Sequence, residues 1–176
     1  MIDFGAIFAG FGGQGVLFMG KVTAYAGLLL GKEVSWMPSY GPEMRGGTAN
    51  CSVCVSDTPV GSPVVTEPDA LIAMNLPSYD KFLCGVKPGG LLIYDESMFR
   101  PTTSRKDLRV FALPATSLAM EEGLNGIANM ILLGKMFKET GLAALQIIEQ
   151  AIEKSVPSSK VGMIEHNLRA LRLGMN

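Results

Sequence analysis

Six residues near the N-terminus, Gly10-Phe11-Gly12-Gly13-Gln14-Gly15, carry the spacing G-x-G-x-x-G, and the chemistry that this spacing serves is anion binding. Glycine has no Cβ, so the chain turns tightly and lets a ligand approach the backbone. The unpaired N–H groups that open a following helix then face the ligand, and the helix dipole favours negative charge. One such charge contributes only ~0.3–1 kcal/mol at an exposed site, so affinity needs further contacts. The same glycines also suit close packing of a helix on a strand, which leaves two readings open. If Gly12 takes a positive φ, Gly12→Ala costs ~1–2 kcal/mol. A Walker loop is excluded, because no Gly-Lys-Ser/Thr follows. A dinucleotide site needs an acid ~20 positions on, ending the second strand and holding the ribose. Glu33 has about that spacing but opens the strand, whose other end is Met37-Pro38.

A second candidate is the loop that begins at Ser39 and runs through Tyr40, Gly41, Pro42, Glu43, Met44, Arg45, Gly46 and Gly47. Arg45 offers a planar fork for a carboxylate or phosphate, with Glu43 to orient it and two glycines beside it to free the backbone. The bland alternative is a surface ion pair of little worth. Cys51 and Cys54 form C-x-x-C, but on a strand they point to opposite faces, as packed small residues would. The only histidine, His166, falls in a C-terminal helical pattern far from both loops. No residue makes a convincing nucleophile.

The elements that must position these loops follow from hydrophobic patterning. Phe4–Ala9 is a short apolar run ending in glycines, a buried strand. Val16 onward is too long and apolar for a strand and reads as a buried helix stopping near Gly31. Glu33–Met37 is a second strand ending at Pro38, so the order strand, glycine loop, helix, strand opens a parallel sheet. If the second strand is parallel to the first, the two loops leave the same carboxyl-end rim, where open α/β sheets bind ligands. Thr48–Val55 reads as a strand and Ser56–Pro59 as a turn; Val60 and Gly61 would return antiparallel, making the sheet mixed. Ala70–Asn75, Leu91–Asp95 and Arg109–Leu113 are further strands, with a short helix over Ser78–Cys84. Beyond Pro114 the chain turns helical. Leu142, Leu145, Ile148 and Ile152 recur at helical spacing, as do Val161, Ile164, Leu168 and Leu171. Glu165 and Arg169 stand at i,i+4 and are expected to pair. The whole, residues 1–176, reads as one α/β domain: a three-layer α/β/α, Rossmann-like arrangement with a mostly parallel, mixed sheet and a helical C-terminal third.

Composition sets the outer bounds. The 176 residues are 48% hydrophobic and 18% charged, with a formal net charge of −1. That balance supplies no field for nucleic acid or an acidic membrane and argues against disorder. A chain so apolar and so nearly neutral (mean hydropathy +0.29) hints at buried subunit contacts, or at self-association when isolated. Three cysteines do not make a disulfide framework. The start Met1-Ile2-Asp3-Phe4 lacks the look of a signal peptide, and the longest apolar stretch, Val16–Leu30, falls short of the ~20 residues that span a bilayer. A soluble cytoplasmic protein is expected.

Taken together, Gly10–Gly15, the run Ser39-Tyr40-Gly41-Pro42-Glu43-Met44-Arg45-Gly46-Gly47-Thr48-Ala49, Ser56-Asp57, Ser62-Pro63 and Asn129–Gly134 resemble the gamma subunit of 2-oxoacid:ferredoxin oxidoreductases. The likeness covers nearly the whole chain, and Pro-Glu-Met-Arg looks closer to the 2-oxoglutarate or branched-chain enzymes than to the indolepyruvate ones. The resemblance implies a complex that decarboxylates a 2-oxoacid on thiamine diphosphate, sends electrons through iron–sulfur clusters to ferredoxin and captures the acyl group on coenzyme A. It implies that thiamine diphosphate and the clusters belong to partner alpha, beta and ferredoxin-like delta subunits. Three cysteines cannot supply the four ligands of an ordinary cluster. For this chain it implies a supporting role, inactive alone, with Gly10, Gly12, Gly13, Gln14, Gly15, Ser39, Tyr40, Gly41, Glu43, Arg45, Gly46 and Gly47 near the coenzyme A and substrate entrance. Two other classes remain: a free-standing Rossmann-type nucleotide-binding oxidoreductase domain, and a scaffold that touches no ligand.

Overall fold

The alternation along the first strand decides where everything else packs. In β1 (Asp3–Gly10), Ala6 and Phe8 turn to one face and Ile7 and Ala9 to the other, and both sets are buried; a strand covered on both sides must lie inside the sheet. The computed structural model describes residues 3–39, 49–102 and 105–176. Its six strands are β1, β2 (Glu33–Ser39), β3 (Ala49–Ser56), β4 (Ala70–Ala73), β5 (Leu91–Asp95) and β6 (Arg109–Leu113), in the order β2-β3-β1-β4-β5-β6.

The sheet is mixed, for a different reason from the one expected. The return strand at Val60 and Gly61 does not form. Instead β3 itself is reversed, inserted between β1 and β2 and antiparallel to both, while β4, β5 and β6 follow β1 in parallel. A strand run specifies a strand but not its neighbour, and β3, wedged between two strands, satisfies its backbone on both edges. Because β1 and β2 both oppose β3, they point the same way. Pro38 does not stop β2, which runs on to Ser39. Proline is tolerated there because β2 is an edge strand.

Helix α1 (Val16–Leu29) lies on the first face. Gly20 and Gly27, one heptad apart, let it approach β2 and β3 closely, for a Cβ at Gly20 would strike Cys51 and Trp36, and one at Gly27 would stand 2.7 Å from Val34 Cγ2. Beside it lie α3 (Ala115–Glu121) and α4 (Ala128–Thr140). Behind them α5 (Leu145–Ser155) packs on α1 and α6 (Ile164–Met175) on α4. The α4–α6 seam is tight: a Cβ on Gly134 would collide with the Leu171 carbonyl and one on Gly174 with that of Ile131. On the opposite face the described helical elements are α2 (Leu76–Phe82) and a 3-10 turn at Leu83–Gly85, which with the loop residues Val65, Phe99 and Leu108 cover Ile7, Ala9, Leu71, Ala73 and Leu92. The expected three layers are present, one of them thin.

Two smaller expectations fail. Arg169 does not pair with Glu165; it reaches Glu122, the C-cap of α3, at 3.4 Å, where the Glu122 backbone carbonyl also accepts, and Glu165 faces Arg172 at 4.0 Å. Val161, expected inside the last helix, lies exposed in a 3-10 turn before it. Among the described residues no helix is long and apolar enough to cross a membrane.

Candidate functional site

The glycine loop joins the carboxyl end of β1 to the start of α1, and its side chains explain why it holds one shape. Gln14 folds back over the turn: its Oε1 accepts the Phe11 N–H at 2.6 Å, its Nε2 donates to the Met74 carbonyl at 3.4 Å, and its own N–H bonds to the Phe11 carbonyl at 3.2 Å. The Gln14 side chain is thus committed largely to the loop and to Met74, the residue after β4. Gly10 must be glycine because a Cβ would meet Gln14 Oε1 at 2.7 Å and Met74 Cβ at 3.1 Å. The positive backbone angles fall at Gly13 (φ 90°) and Gly15 (φ 77°). Gly12 is not among the positive-φ glycines, so the strain argument moves from it to those two.

Gly15 ends the loop in a left-handed conformation as the N-cap of α1, with no side-chain cap and no acidic residue in the first turn. The N–H groups of Gly12, Gly13 and Gly15 carry no hydrogen bond among the described residues, and those that open α1 lack helical partners by construction. Free N–H groups gathered at a helix start are what an anion-binding cradle requires. The loop lines a hollow of about 290 Å³ that runs from Phe11 to Phe18 and is closed by Ala49.

Ala49 is where the chain returns from the second candidate loop. Ser39 pairs with Asn50, Asn50 with Ala9 and Ala49 with Gly10, so β2 ends, β3 begins and the glycine loop departs along one rim. Of the second loop, only Ser39 is described; Tyr40, Gly41, Glu43, Arg45, Gly46 and Gly47 lie outside the described residues. Glu33 stands at the opposite end of β2, paired with Ser56, so no carboxylate from it meets the cradle and the ribose contact of a dinucleotide site is missing.

Asn129, at the start of α4, is the residue that the loop reading missed. It is 5% exposed, donates from Nδ2 to the Gly15 carbonyl at 3.2 Å, and would be struck by a Cβ on Gly15 at 2.5 Å. The contact spans 114 positions, and no local pattern announces it. The N-cap of α4, Ile127, also lacks a side-chain cap, so two helix starts converge beside Gly15. A second hollow of about 260 Å³ lies between Gly13, Gln14, Asn129 and α3, and a third of about 310 Å³ between Gly15, Asn129 and the ends of α5 and α6. Asp95 at the end of β5 is wholly buried, but its Oδ2 accepts from the N–H and hydroxyl of Thr116 at 3.1 and 2.5 Å and so serves to start α3.

Around the loop the described lining residues of these three hollows include one ionisable side chain, Lys160. Chemically such an arrangement can bind and orient a ligand, and among the described lining residues there is no acid–base pair. Cys51 is buried and donates to the Val16 carbonyl at 3.3 Å, and burial pushes its thiol up to about 12. Cys54 turns to the other face, toward the Ser62 carbonyl, and Cys84 is exposed, so the cysteines do not converge on a cluster. His166 is exposed, with Nδ1 at 3.2 Å from the Gly162 carbonyl, on none of the three hollows. Phe11, Leu76, Met98 and Met120, all exposed, stand beyond the carboxyl ends of β1, β4, β5 and β6 and give this rim an apolar edge.

The family described as pyruvate ferredoxin/flavodoxin oxidoreductase matches residues 5–176. The chain belongs to this family. It is 41% identical over 169 residues to ketoisovalerate oxidoreductase subunit VorA of Methanothermobacter marburgensis, covering 94% of this chain and 34% of that protein. It is 36% identical over 169 residues to 2-oxoglutarate synthase subunit KorC of Methanocaldococcus jannaschii, covering 94% of this chain and 89% of KorC. The chain therefore spans about a third of the length of VorA and most of KorC. Among solved structures, the gamma subunit of the keto/oxoacid ferredoxin oxidoreductase from Geobacter sulfurreducens superposes with a TM-score of 0.86 at 29% identity, covering 99% of this chain and 95% of that one.

Proposed function

We propose that this chain is the gamma subunit of a 2-oxoacid:ferredoxin oxidoreductase, a complex that converts a 2-oxoacid to its acyl-coenzyme A with reduction of ferredoxin. One observation carries the site assignment: an uncapped α1 start and the free N–H groups of Gly12, Gly13 and Gly15 form a cradle on the rim where β2 ends and β3 begins. A diphosphate such as that of coenzyme A suits such a cradle. Thiamine diphosphate, held by partner alpha and beta subunits, supplies the electron sink for decarboxylation, and the clusters lie on partners including a ferredoxin-like delta subunit. The chain's own residues bind and orient: Gly12, Gly13 and Gly15 receive the phosphates, Gln14 and Asn129 keep the loop in shape, and Ser39, Tyr40, Glu43 and Arg45 complete the entrance. Orientation of the coenzyme thiol is a large part of what such a subunit can add to the rate. The apolar edge of Phe11, Leu76, Met98 and Met120 suits a subunit interface, and a complex of this kind works in the cytoplasm.

Co-expression with thiamine-binding and ferredoxin-like subunits is expected to yield a stable assembly, and the chain alone to oxidise no 2-oxoacid. In that assembly Arg45→Ala raises the coenzyme A concentration needed for half-maximal rate without releasing the subunit. Activity of the isolated chain, or micromolar binding of NADH to it, would count for a self-contained nucleotide enzyme instead; an unchanged coenzyme A requirement would leave only the scaffold.

A further inference from the structure

We infer that the free edge of β6 pairs antiparallel with β6 of a second copy of this chain, joining two six-stranded sheets edge to edge. Each sheet has two outer strands, β2 and β6. β2 carries Pro38, which discourages a further strand there; β6, Arg109-Val110-Phe111-Ala112-Leu113, has no proline and, past Arg109, no charge. The Arg109 N–H donates to the Gly90 carbonyl, and the Leu113 carbonyl accepts from the Glu96 N–H, both at 2.9 Å. In a parallel ladder the N–H and C=O of one residue turn to the same neighbour, and successive residues alternate. Those of Val110 and Ala112 therefore point outward, with no partner among the described residues. Their side chains lie on the thin face beside Leu92 and Tyr94, Val110 at 37% exposure and Ala112 exposed as well. Open backbone groups next to exposed apolar side chains make a place for an added strand.

The strand suits a copy of itself. With a two-fold axis at Phe111, Val110 stands opposite Ala112 of the second copy and exchanges both hydrogen bonds with it, and the reverse pair does the same, so every outward group is satisfied. Arg109 then faces Leu113 rather than another Arg109, and the two Phe111 rings meet as a cross-strand aromatic pair. The cations over each Phe111 ring, Lys135 at 4.3 Å and Arg109 at 6.0 Å from its centroid, are both held by Glu139. The flanks are complementary as well. Lys106 precedes the strand and Glu96 stands beside Leu113 at its other end, and neither has an ion partner among the described residues. Antiparallel pairing sets the Lys106 end of one copy against the Glu96 end of the other. A chain with a formal charge of −1 opposes that contact little. β1 lies three strands from β6, roughly 14 Å away at ~4.8 Å per strand, so the glycine loops stay open. Reversal of the second sheet turns the two loops toward opposite rims, whatever ligand they hold.

The test is sedimentation of the purified full chain from about 1 to about 200 µM, with amide exchange followed residue by residue. The mass is expected to rise with concentration from 18.7 kDa toward twice that value, and the Val110 and Ala112 N–H groups to exchange more slowly as it does. Val110→Lys, at an exposed position, leaves the urea midpoint unchanged and weakens association about tenfold or more. Lys106→Glu and Glu96→Lys each weaken it about fivefold, and their equimolar mixture associates like the wild type, since each variant meets its opposite charge across the axis. A chain that stays monomeric throughout overturns the inference, and so does a dimer that Val110→Lys leaves intact. Release of the Val110→Lys chain from a co-expressed assembly, with the wild-type chain alone monomeric, would assign the edge to a different subunit and overturn the pairing of two copies.

Discussion

On the face that carries α1 and α4 the molecule is closed by glycines that let helices touch strands and one another, whereas the opposite face is covered by one two-turn helix, a 3-10 turn and loop residues such as Val65, Phe99 and Leu108. On the first face buried hydroxyls are satisfied, Thr23 bonding to the Met19 carbonyl and Ser155 to that of Ala151, and Lys21 crosses to the Ser155 carbonyl. On the second, Asn75 Nδ2, Ser78 Oγ and Tyr79 OH are buried without partners among the described residues, although Asn75 Oδ1 caps α2 through the Ser78 N–H at 2.8 Å. The aromatic rings of Tyr79, Tyr94 and Phe99 fill that side with centroids 5.4–6.3 Å apart, Tyr79 edge to face with both of the others and Tyr94 tilted against Phe99. The difference teaches that the cradle and Asn129 are backed by the well-satisfied side, where a shift of one helix is resisted by its neighbours.

The contrast breaks most readily at the α4–α6 seam. Gly174→Ala is expected to cost about 3 kcal/mol in urea unfolding, since the new methyl meets backbone; a loss below ~0.5 kcal/mol would mean that α6 slides freely and the first face is loose. Next comes pH. The buried Cys51 thiol, raised to about 12 from 9.0, keeps its proton in the folded state where the unfolded chain has lost it. Its contribution is complete below pH 9.0 and falls as pH climbs from there toward about 12, the loss reaching roughly 2–3 kcal/mol by about pH 11. Cys51→Ala should flatten that part of the pH–stability curve. In parallel, Cys84 should alkylate first, Cys54 more slowly, and Cys51 only on unfolding. Gly15→Ala is expected to cost ~1–2 kcal/mol from its positive φ alone, and more through Asn129. Added to Asn129→Ala it should cost less than the sum of the two, and strict additivity would deny the contact. The smallest effect is on the thin face: Tyr79→Phe removes a buried unpaired hydroxyl and should raise stability by about 1 kcal/mol, which a loss of stability would refute.

Local patterning was enough for much of this. β5 and β6 run over the expected residues, β1 and α1 differ by a residue or two, and the two loops do leave from strands of the same direction. What local patterning lacks is the identity of neighbours. Nothing in Ala49–Ser56 says that it will insert between β1 and β2, and Asp57, read as part of a turn, also pairs with Lys32. Helix α4 is buried along nearly its whole length, so it offers little amphipathic stripe to mark its start, and Asn129 looks like an ordinary helix residue until the fold sets it on Gly15. The glycine spacing was legible because a turn needs it; which glycines take positive φ was not, since that depends on how Gln14 folds back.

That backward fold of Gln14 bears on kinetics. With Oε1 on the Phe11 N–H and Nε2 toward the Met74 carbonyl, the cradle has its shape before any guest arrives. Little conformational freedom is then left to lose on capture, so encounter with a phosphate-bearing guest should be governed by diffusion and charge rather than by a slow rearrangement of the receptor.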